Sequence, residues 1–217
     1  MFKIDYDSIL KRFLGQSDYR EWMKTPFNSG GKTFSTDGDV MVVVPLQDDY
    51  EDQTEKIKNV YPVEKNMDMP ISVLELRTKL DLFPKVDCFD EVISECDACH
   101  GSGNVEFEFE HSYKTYYLDG DCPICDGDGK LEKASETPSG KKEFDYTKYF
   151  QIGNSAFNLN KIEDLLFVAS ETGIETIKLV KQTKKSASSL FEIGEVELLV
   201  MPVLFHPEDV LQSINKQ

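Results

Sequence analysis

Two copies of one eight-residue pattern, C-x-x-C-x-G-x-G, constrain this 217-residue chain more than any other feature. The copies occupy residues 96–103 and 122–129, and they contain four of the five cysteines. A zinc ion with four thiolate ligands needs two tight C-x-x-C turns that direct their sulfurs to one point about 2.3 Å away. The sequence therefore predicts one structural Zn²⁺ per chain. Its ligands are Cys96, Cys99, Cys122 and Cys125.

Two glycines follow each C-x-x-C turn, at the second and fourth positions after its second cysteine. Glycine adopts positive φ without a steric penalty, so the backbone can turn back and direct its amides at the sulfurs. We expect this role for the turn glycines Gly101, Gly103, Gly127 and Gly129.

Other cysteine chemistries fit the pattern less well. Residues 96–100 also read C-x-x-C-H, the attachment site of c-type haem, but the second copy lacks the histidine. A redox C-x-x-C usually opens a helix after a strand, whereas Gly-x-Gly follows here; a thiol oxidoreductase stays an alternative. Disulfides need an oxidising compartment, and the N-terminus shows no apolar export segment. Cys88, outside the repeats, is predicted to be a small buried side chain.

The repeat resembles the cysteine-rich module of DnaJ-type chaperones, in which paired knuckles hold structural zinc. That family carries four repeats and two metals, whereas this chain has two repeats and ligands for one metal. The nearest sequence to the J-domain His-Pro-Asp tripeptide is His206-Pro207-Glu208, at the other end of the chain. The resemblance thus implies the coordination by four cysteines and does not imply chaperone activity.

Charge is distributed unevenly along this acidic protein. The formal net charge is −16, and residues 86–132 hold 13 Asp and Glu against 2 Lys and Arg, a balance of −11. This asymmetry predicts three segments: 1–85, an inserted zinc-binding hairpin at 86–132, and 133–217, which begins with a polar return linker. Nucleic-acid affinity rests on Lys and Arg displacing counterions, so the insert is not expected to bind nucleic acid. No run approaches the roughly 20 apolar residues of a membrane span, so we expect a cytoplasmic protein without membrane contact.

Strict alternation between the two knuckles predicts a β-hairpin. From 104 to 110, Val and Phe alternate with Glu, and 113–118 can return as the partner strand. Such a hairpin brings the knuckles together as in a zinc ribbon. Its aromatic face either packs on the main body or forms a docking patch for a protein.

The flanks of the insert predict an α+β body with two helices packed on antiparallel sheets. Upstream, a helix capped by Asp5 or Asp7 precedes two strands within 26–45, a polar linker at 47–66 and an ambiguous amphipathic element at 70–83. Downstream, a helix starts in a capping box at Asn160 and ends at Gly173. Three strands follow it, between 175 and 205.

Three short segments resemble sliding DNA clamps, the bacterial β clamp in particular. They are 33–40 (TFSTDGDV), 157–159 (FNL) and 197–203 (ELLVMPV). The resemblance implies a clamp-like domain of two βαβββ halves, one on each side of the insert. Clamp rings contain six such domains and line their pore with basic helix residues; Lys11, Arg12 and Lys161 occupy the expected helices as candidate DNA contacts. Asp39 and Val40 replace the histidine and arginine of the clamp motif, which weakens the resemblance there.

No catalytic residues are identified. A closed Cys₄ site leaves no position for substrate, and no phosphate-cradling glycine loop stands between a strand and a helix. We therefore expect a non-catalytic zinc-binding accessory or scaffolding protein in DNA replication, repair or mobile-element biology that contacts a protein partner. The alternative is a chaperone-like protein-interaction module with no DNA role.

Overall fold

The computed structural model describes residues 4–16, 20–184 and 186–215. The chain forms two compact units. The first, called the body, comprises Met1–Pro84 and Phe144–Gln217, and the second, called the ribbon unit, comprises Lys85–Glu143. Among the described residues, no helix is long and apolar enough to cross a bilayer.

Fourteen strands and four α-helices make up the described part of the chain, which confirms the predicted α+β class. The first part of the body contains α1 (Tyr6–Arg12), β1 (Phe27–Ser29), β2 (Lys32–Thr36), β3 (Val40–Pro45), α2 (Thr54–Ile57), β4 (Met69–Ser72) and α3 (Val73–Asp81). The ribbon strands are β5 (Lys85–Glu95), β6 (Asn104–His111), β7 (Lys114–Asp121) and β8 (Lys130–Phe144). The second part of the body contains β9 (Tyr149–Ile152), β10 (Ser155–Asn158), α4 (Leu159–Thr172), β11 (Thr176–Lys181), β12 (Ser189–Ile193), β13 (Val196–Val200) and β14 (Val210–Ile214).

A seven-stranded antiparallel sheet, in the order β1-β2-β3-β13-β12-β11-β4, organises the body. One helix followed by a three-strand meander occurs twice, as α1 with β1–β3 and as α4 with β11–β13. The two meanders join through their last strands, where Val42 of β3 is opposite Leu198 of β13. A smaller sheet, β10-β9-β14, pairs β9 with β14 in parallel.

The large sheet is buried on both faces. Alternate residues of β3 separate into two apolar clusters: Val40, Val42 and Val44 join the helices α1, α3 and α4, while Met41 and Val43 face the other way. That second face is covered by Trp22 and by the segment predicted as a polar linker, 47–66. Its Ile57, Tyr61 and Val63 pack on the sheet.

Several elements differ from the sequence predictions. Residues 26–45 form three strands rather than two, because Gly30 and Gly31 take positive φ and turn the chain between β1 and β2. The ambiguous segment 70–83 falls on a strand, β4, and a helix, α3. The third predicted strand after α4 ends at Val200.

The helix ends were predicted with mixed success. Asp5 caps α1 as predicted, since its carboxylate accepts a hydrogen bond from the Ser8 amide at 3.1 Å. The cap of α4 is Asn158 rather than Asn160, and its side chain makes no capping hydrogen bond. Gly173 ends α4 as predicted, in the left-handed conformation with φ of 67°.

The ribbon unit contains two two-stranded sheets, β5-β8 and β6-β7. The predicted return linker lies within β8, where a polar segment becomes a strand by pairing with β5. Cys88 on β5 is half-buried rather than buried, because residues on both faces of this ribbon are exposed.

Candidate metal centre

The structure brings the four predicted ligand cysteines together in one buried group. All four sulfurs lie within 4.8 Å of one another. Sγ of Cys96 is 3.8 Å from Sγ of Cys122, and Sγ of Cys99 is 3.8 Å from Sγ of Cys125. A tetrahedron with metal–sulfur bonds of about 2.3 Å has edges of about 3.8 Å. The spacing therefore fits a tetrahedral metal ion, and the four thiols could hold one.

Reciprocal hydrogen bonds between the knuckles build this group. The Cys96 amide donates to the carbonyl of Gly129 at 2.9 Å, and the Cys122 amide donates to the carbonyl of Gly103 at 2.7 Å. The first cysteine of each repeat is thereby tied to the last glycine of the other. This exchange gives the two repeats an approximately two-fold arrangement.

Backbone amides are directed at two of the sulfurs. The Gly103 amide donates to Sγ of Cys99 at 3.3 Å, and the Gly129 amide donates to Sγ of Cys125 at 3.2 Å. Both glycines have positive φ, 79° and 72°. Hydrogen bonds of this kind stabilise thiolate charge and orient the sulfur toward a metal.

Gly103 and Gly129 have a second role, which the sequence analysis did not identify. A Cβ on Gly103 would lie 2.1 Å from the carbonyl oxygen of Gly127, and a Cβ on Gly129 would lie 2.3 Å from that of Gly101. The backbones of the two knuckles therefore approach too closely for any side chain. A signal existed in the sequence, because both repeats carry glycine at this position.

Two of the thiols, Cys99 and Cys125, have pKa values shifted in opposite directions. Burial disfavours the Cys99 thiolate, but the Gly103 amide and hydrogen bonds with the other thiols outweigh burial and lower the Cys99 pKa to about 7. Burial raises the pKa of Cys125 to about 11, against the effect of the Gly129 amide. Thiolates at this spacing repel one another, and a bound cation would offset that repulsion.

The remaining residues near the knuckles are not part of the group. His100 is exposed with φ of 51°, and Cys88 is half-buried on β5. All five cysteines are free of disulfides. Among the described residues, the group comprises four cysteine sulfurs, a ligand set that is typical of structural zinc sites.

The three candidate DNA contacts all have acidic neighbours in the body. Lys11 forms an ion pair with Asp7 at 2.7 Å and is largely exposed. Arg12 binds Asp164 at 2.8 Å and stacks over the ring of Phe167. Burial raises the pKa of Asp164, while Arg12 acts in the opposite direction.

Lys161 is buried, in contrast to Lys11. Its ammonium lies 3.5 Å from a carboxylate oxygen of Asp37 and 3.8 Å from one of Asp39. These carboxylates belong to the turn between β2 and β3. Lys161 thus connects α4 to this turn, and DNA contact by the three residues stays a prediction.

A cavity of about 300 Å³ lies beside the same turn. Two of the segments that carry the clamp resemblance meet there, because β3 and β13 are adjacent strands. Thr36, Gly38 and Val40 come from the first segment, and Leu199 and Met201 come from the second. Apolar side chains provide much of its lining: Trp22, Met41, Ile57, Val60, Leu199 and Met201. Sequence reasoning missed this site, since its residues are far apart in the chain.

Solved structures of sliding clamps resemble the chain. The β subunit of DNA polymerase III from Pseudomonas aeruginosa has 12% identity and a TM-score of 0.45, over 91% of this chain and 64% of the clamp. A putative β subunit from Eubacterium rectale has 15% identity and a TM-score of 0.44, over 92% and 63%. The Helicobacter pylori β clamp bound to a DNA ligase peptide has 12% identity and a TM-score of 0.45, over 91% and 62%.

The matched part is less than two thirds of each of these clamps. Likeness at this level of identity and TM-score assigns neither a function nor a partner to this chain. No protein-family model matches the sequence, and no curated protein sequence matches it.

Proposed function

We propose that this chain is a non-catalytic accessory or scaffolding protein with a structural zinc ion, which acts through protein contacts in DNA replication, repair or mobile-element biology. The observation that carries the proposal is the Cys₄ group. Its buried sulfurs include two pairs 3.8 Å apart, the edge length of a zinc tetrahedron, and four cysteine ligands would complete a tetrahedral shell. Zinc at Cys96, Cys99, Cys122 and Cys125 would hold the ribbon unit together.

Metal analysis tests the zinc assignment. A tetrahedral S₄ site suits zinc or iron, so the ion must be identified. We expect one zinc per chain by plasma mass spectrometry, a colourless protein and four thiols protected from mild oxidation. Iron with visible absorption would contradict the zinc assignment, and ready formation of disulfides in the loaded protein would favour the thiol oxidoreductase.

The repeated unit of the body supports the clamp-like part of the proposal. A helix and a three-strand meander occur twice, and the meanders join through β3 and β13. The clamp resemblance implies two βαβββ halves. Each helix with its three-strand meander matches the helix and the last three strands of one such half. The motif segment 33–40 covers β2, the following turn and the first residue of β3, and the motif segment 197–203 begins on β13.

The apolar cavity beside the motif turn is where we place the protein contact. It combines a half-buried Trp22 with exposed Met201 and Val60, and the basic residues Arg20 and Lys56 also line it. Concave apolar sites with a few polar groups are the usual places for a ligand segment to bind. An apolar peptide segment of a replication or repair protein is the occupant that this lining suits.

A substitution in the cavity tests the partner class. Met201→Lys would place a charge among the apolar side chains, and exposed Leu204→Lys, which changes the same property outside the cavity, is the matched control. Affinity capture with the purified chain should retain replication or repair proteins, and Met201→Lys alone should lose them. Retention of the same proteins by both variants would contradict this placement.

Binding to duplex DNA separates the main proposal from the alternative of an interaction module without a DNA role. If Lys11 and Arg12 contact DNA, affinity should fall steeply with salt and should weaken for Lys11→Glu. No binding at low salt would favour the alternative. The molar mass in solution tests the ring, because six domains of this size would be needed to encircle DNA.

A further inference from the structure

The β6–β7 hairpin of the ribbon unit has two chemically different faces. The strand register places Phe107 opposite Leu118 and Phe109 opposite Tyr116, and side chains two residues apart in a strand share a face. One face is therefore apolar. The other face carries acidic residues and one tyrosine: Glu106, Glu108, Glu110, Tyr117 and Asp119.

The apolar face is exposed. Phe107, Phe109, Tyr116 and Leu118 are 41%, 51%, 42% and 62% exposed, and the rings of Phe109 and Tyr116 stack with centroids 5.3 Å apart. Contiguous apolar side chains bordered by polar ones mark interaction sites on protein surfaces. This surface therefore has the character of an interaction site.

Both edges of the hairpin lack a third strand within the described part of the chain, since β6 and β7 form a sheet by themselves. An unpaired edge offers a row of backbone amides and carbonyls to an added strand. The β6 edge has the more regular pattern, because apolar and acidic residues alternate there from Val105 to Glu110.

Charge determines which occupant suits this edge. The ribbon unit, 85–143, has 15 Asp and Glu against 6 Lys and Arg. Nucleic acids and anionic membranes are repelled by such a surface. A second copy of β6 would place glutamates opposite glutamates, which destabilises strand pairing. The occupant that suits this edge is therefore a basic segment of a protein.

We propose that β6 is a docking edge for an extended segment of a partner protein in which apolar residues alternate with Lys or Arg. Added as a third strand, the segment would place its apolar side chains beside Phe107 and Phe109. Its cations would lie on the opposite face beside Glu106, Glu108 and Glu110. This inference concerns the ribbon unit and does not depend on the function proposed for the body.

Peptide binding to the full, metal-loaded chain tests the proposal. The probe is a fluorescent peptide of about nine residues, the length of a long strand, in which lysine and valine alternate. A peptide of the same composition with its lysines in one block is the control for charge alone. We expect the alternating peptide to bind at least about tenfold more tightly, as several cross-strand pairs would give. Equal affinities would overturn the proposal.

Charge reversal on β6 should reverse the preference. In the triple variant Glu106→Lys, Glu108→Lys and Glu110→Lys, the lysine–valine peptide should lose at least about tenfold in affinity, and a glutamate–valine peptide should gain as much. The matched control reverses three exposed carboxylates of the body: Asp48→Lys, Glu64→Lys and Asp81→Lys. An equal loss in this control would show a net-charge effect and overturn the proposal.

Two further measurements keep the test independent of folding defects. The glutamine variants at 106, 108 and 110 preserve shape and should weaken binding several-fold, with metal content confirming an intact ribbon unit. Amide hydrogen exchange across 104–111 should slow when the alternating peptide binds to the unmodified protein. Binding that leaves this exchange unchanged would overturn the strand-addition geometry.

Discussion

The body and the ribbon unit achieve order in opposite ways. In the body, the central strand β3 is buried on both faces, with Val40, Val42, Val43 and Val44 at most 1% exposed. In the ribbon unit, the buried residues among those described between 85 and 143 are the four cysteines and two glycines, Gly103 and Gly129. Apolar burial is spread over many residues of the body, whereas one small group of sulfurs unites the ribbon.

The two units should therefore be sensitive to different kinds of damage. Two-stranded sheets are marginal by themselves in water, and this ribbon adds only half-buried Val105 and Leu131 around the sulfurs. A metal ion can replace the missing core, because its binding energy becomes folding energy. Loss of the metal should therefore unfold the whole ribbon unit and leave the body folded. Substitutions in the body should lower its free energy of unfolding by amounts that depend on the side chain removed.

Loss of the metal should have the largest effect. Structural zinc contributes about 10–16 kcal/mol in zinc-finger peptides, so chelation or Cys96→Ser should unfold the ribbon unit and leave the body folded. Hydrogen exchange should become fast across 96–129 and remain slow across 40–44. Cys88→Ser, outside the group, is the control and should retain the metal. Unchanged exchange in metal-free protein would contradict the comparison.

A cavity in the body should have the next largest effect. Phe191 on β12 is fully buried and packs edge-to-face against Phe157. Phe191→Ala should lower the free energy of unfolding of the body by about 3–5 kcal/mol, through lost apolar burial and the cavity left behind. Urea unfolding followed by the fluorescence of Trp22 measures this.

The metal content of Phe191→Ala should be unchanged. Leu74→Ala removes a side chain that is 75% exposed and should alter stability by less than about 0.5 kcal/mol. Release of the metal by Phe191→Ala would contradict the expectation that damage to the body leaves the ribbon unit intact.

A glycine substitution sharpens the comparison within the ribbon. Gly103 and Gly140 have nearly the same φ, 79° and 80°. A Cβ at Gly103 would strike the carbonyl of Gly127, whereas a Cβ at Gly140 would meet nothing within 4 Å. Gly103→Ala should weaken metal affinity about 10–100-fold, as loss of a supporting contact does. Competition with a chromophoric chelator should show no such change for Gly140→Ala.

A half-buried carboxylate on the second face of the sheet should give the smallest effect. Desolvation opposes ionisation of Glu197, but a 2.5 Å hydrogen bond from Tyr61 and the charge of Lys32 outweigh it and lower the Glu197 pKa. A lowered folded pKa stabilises the protein above the pKa of an unfolded glutamate, about 4.3, and the benefit is lost as pH falls through the folded value.

Glu197→Gln should therefore cost about 1–2 kcal/mol at pH 7 and progressively less below about pH 4. Urea unfolding at several pH values checks this. Glu208→Gln, at an exposed position, is the matched control. A cost that grew as the pH fell would mean that the Glu197 pKa is raised.

The clustering of the four cysteines was predictable in part because the C-x-x-C-x-G-x-G turn is local. Spacing alone brings Cys96 close to Cys99, and Cys122 close to Cys125, whatever the remainder of the chain does. The same holds for the Asp5 cap and for the end of α4 at Gly173, where one side chain or one left-handed residue determines the local backbone.

Polar strands were harder to predict. The segment predicted as a return linker has low hydrophobicity, and it becomes part of β8 because β5 supplies its backbone partners. The segment 47–66 likewise reads as a mobile linker, yet Ile57, Tyr61 and Val63 cover the second face of the large sheet. Backbone pairing with a distant strand leaves no periodic signal in a single sequence.

The two knuckles, their glycines, the α+β class and the acidic character of the ribbon all follow from residue type and short spacing. Tertiary structure decided that β3 pairs with β13, that Lys161 meets Asp37, and that two distant motif segments share one cavity. It also decided that Gly103 meets Gly127. The physical reason is that strand pairing and side-chain burial join residues far apart in the chain, and only the folded packing selects which of them meet.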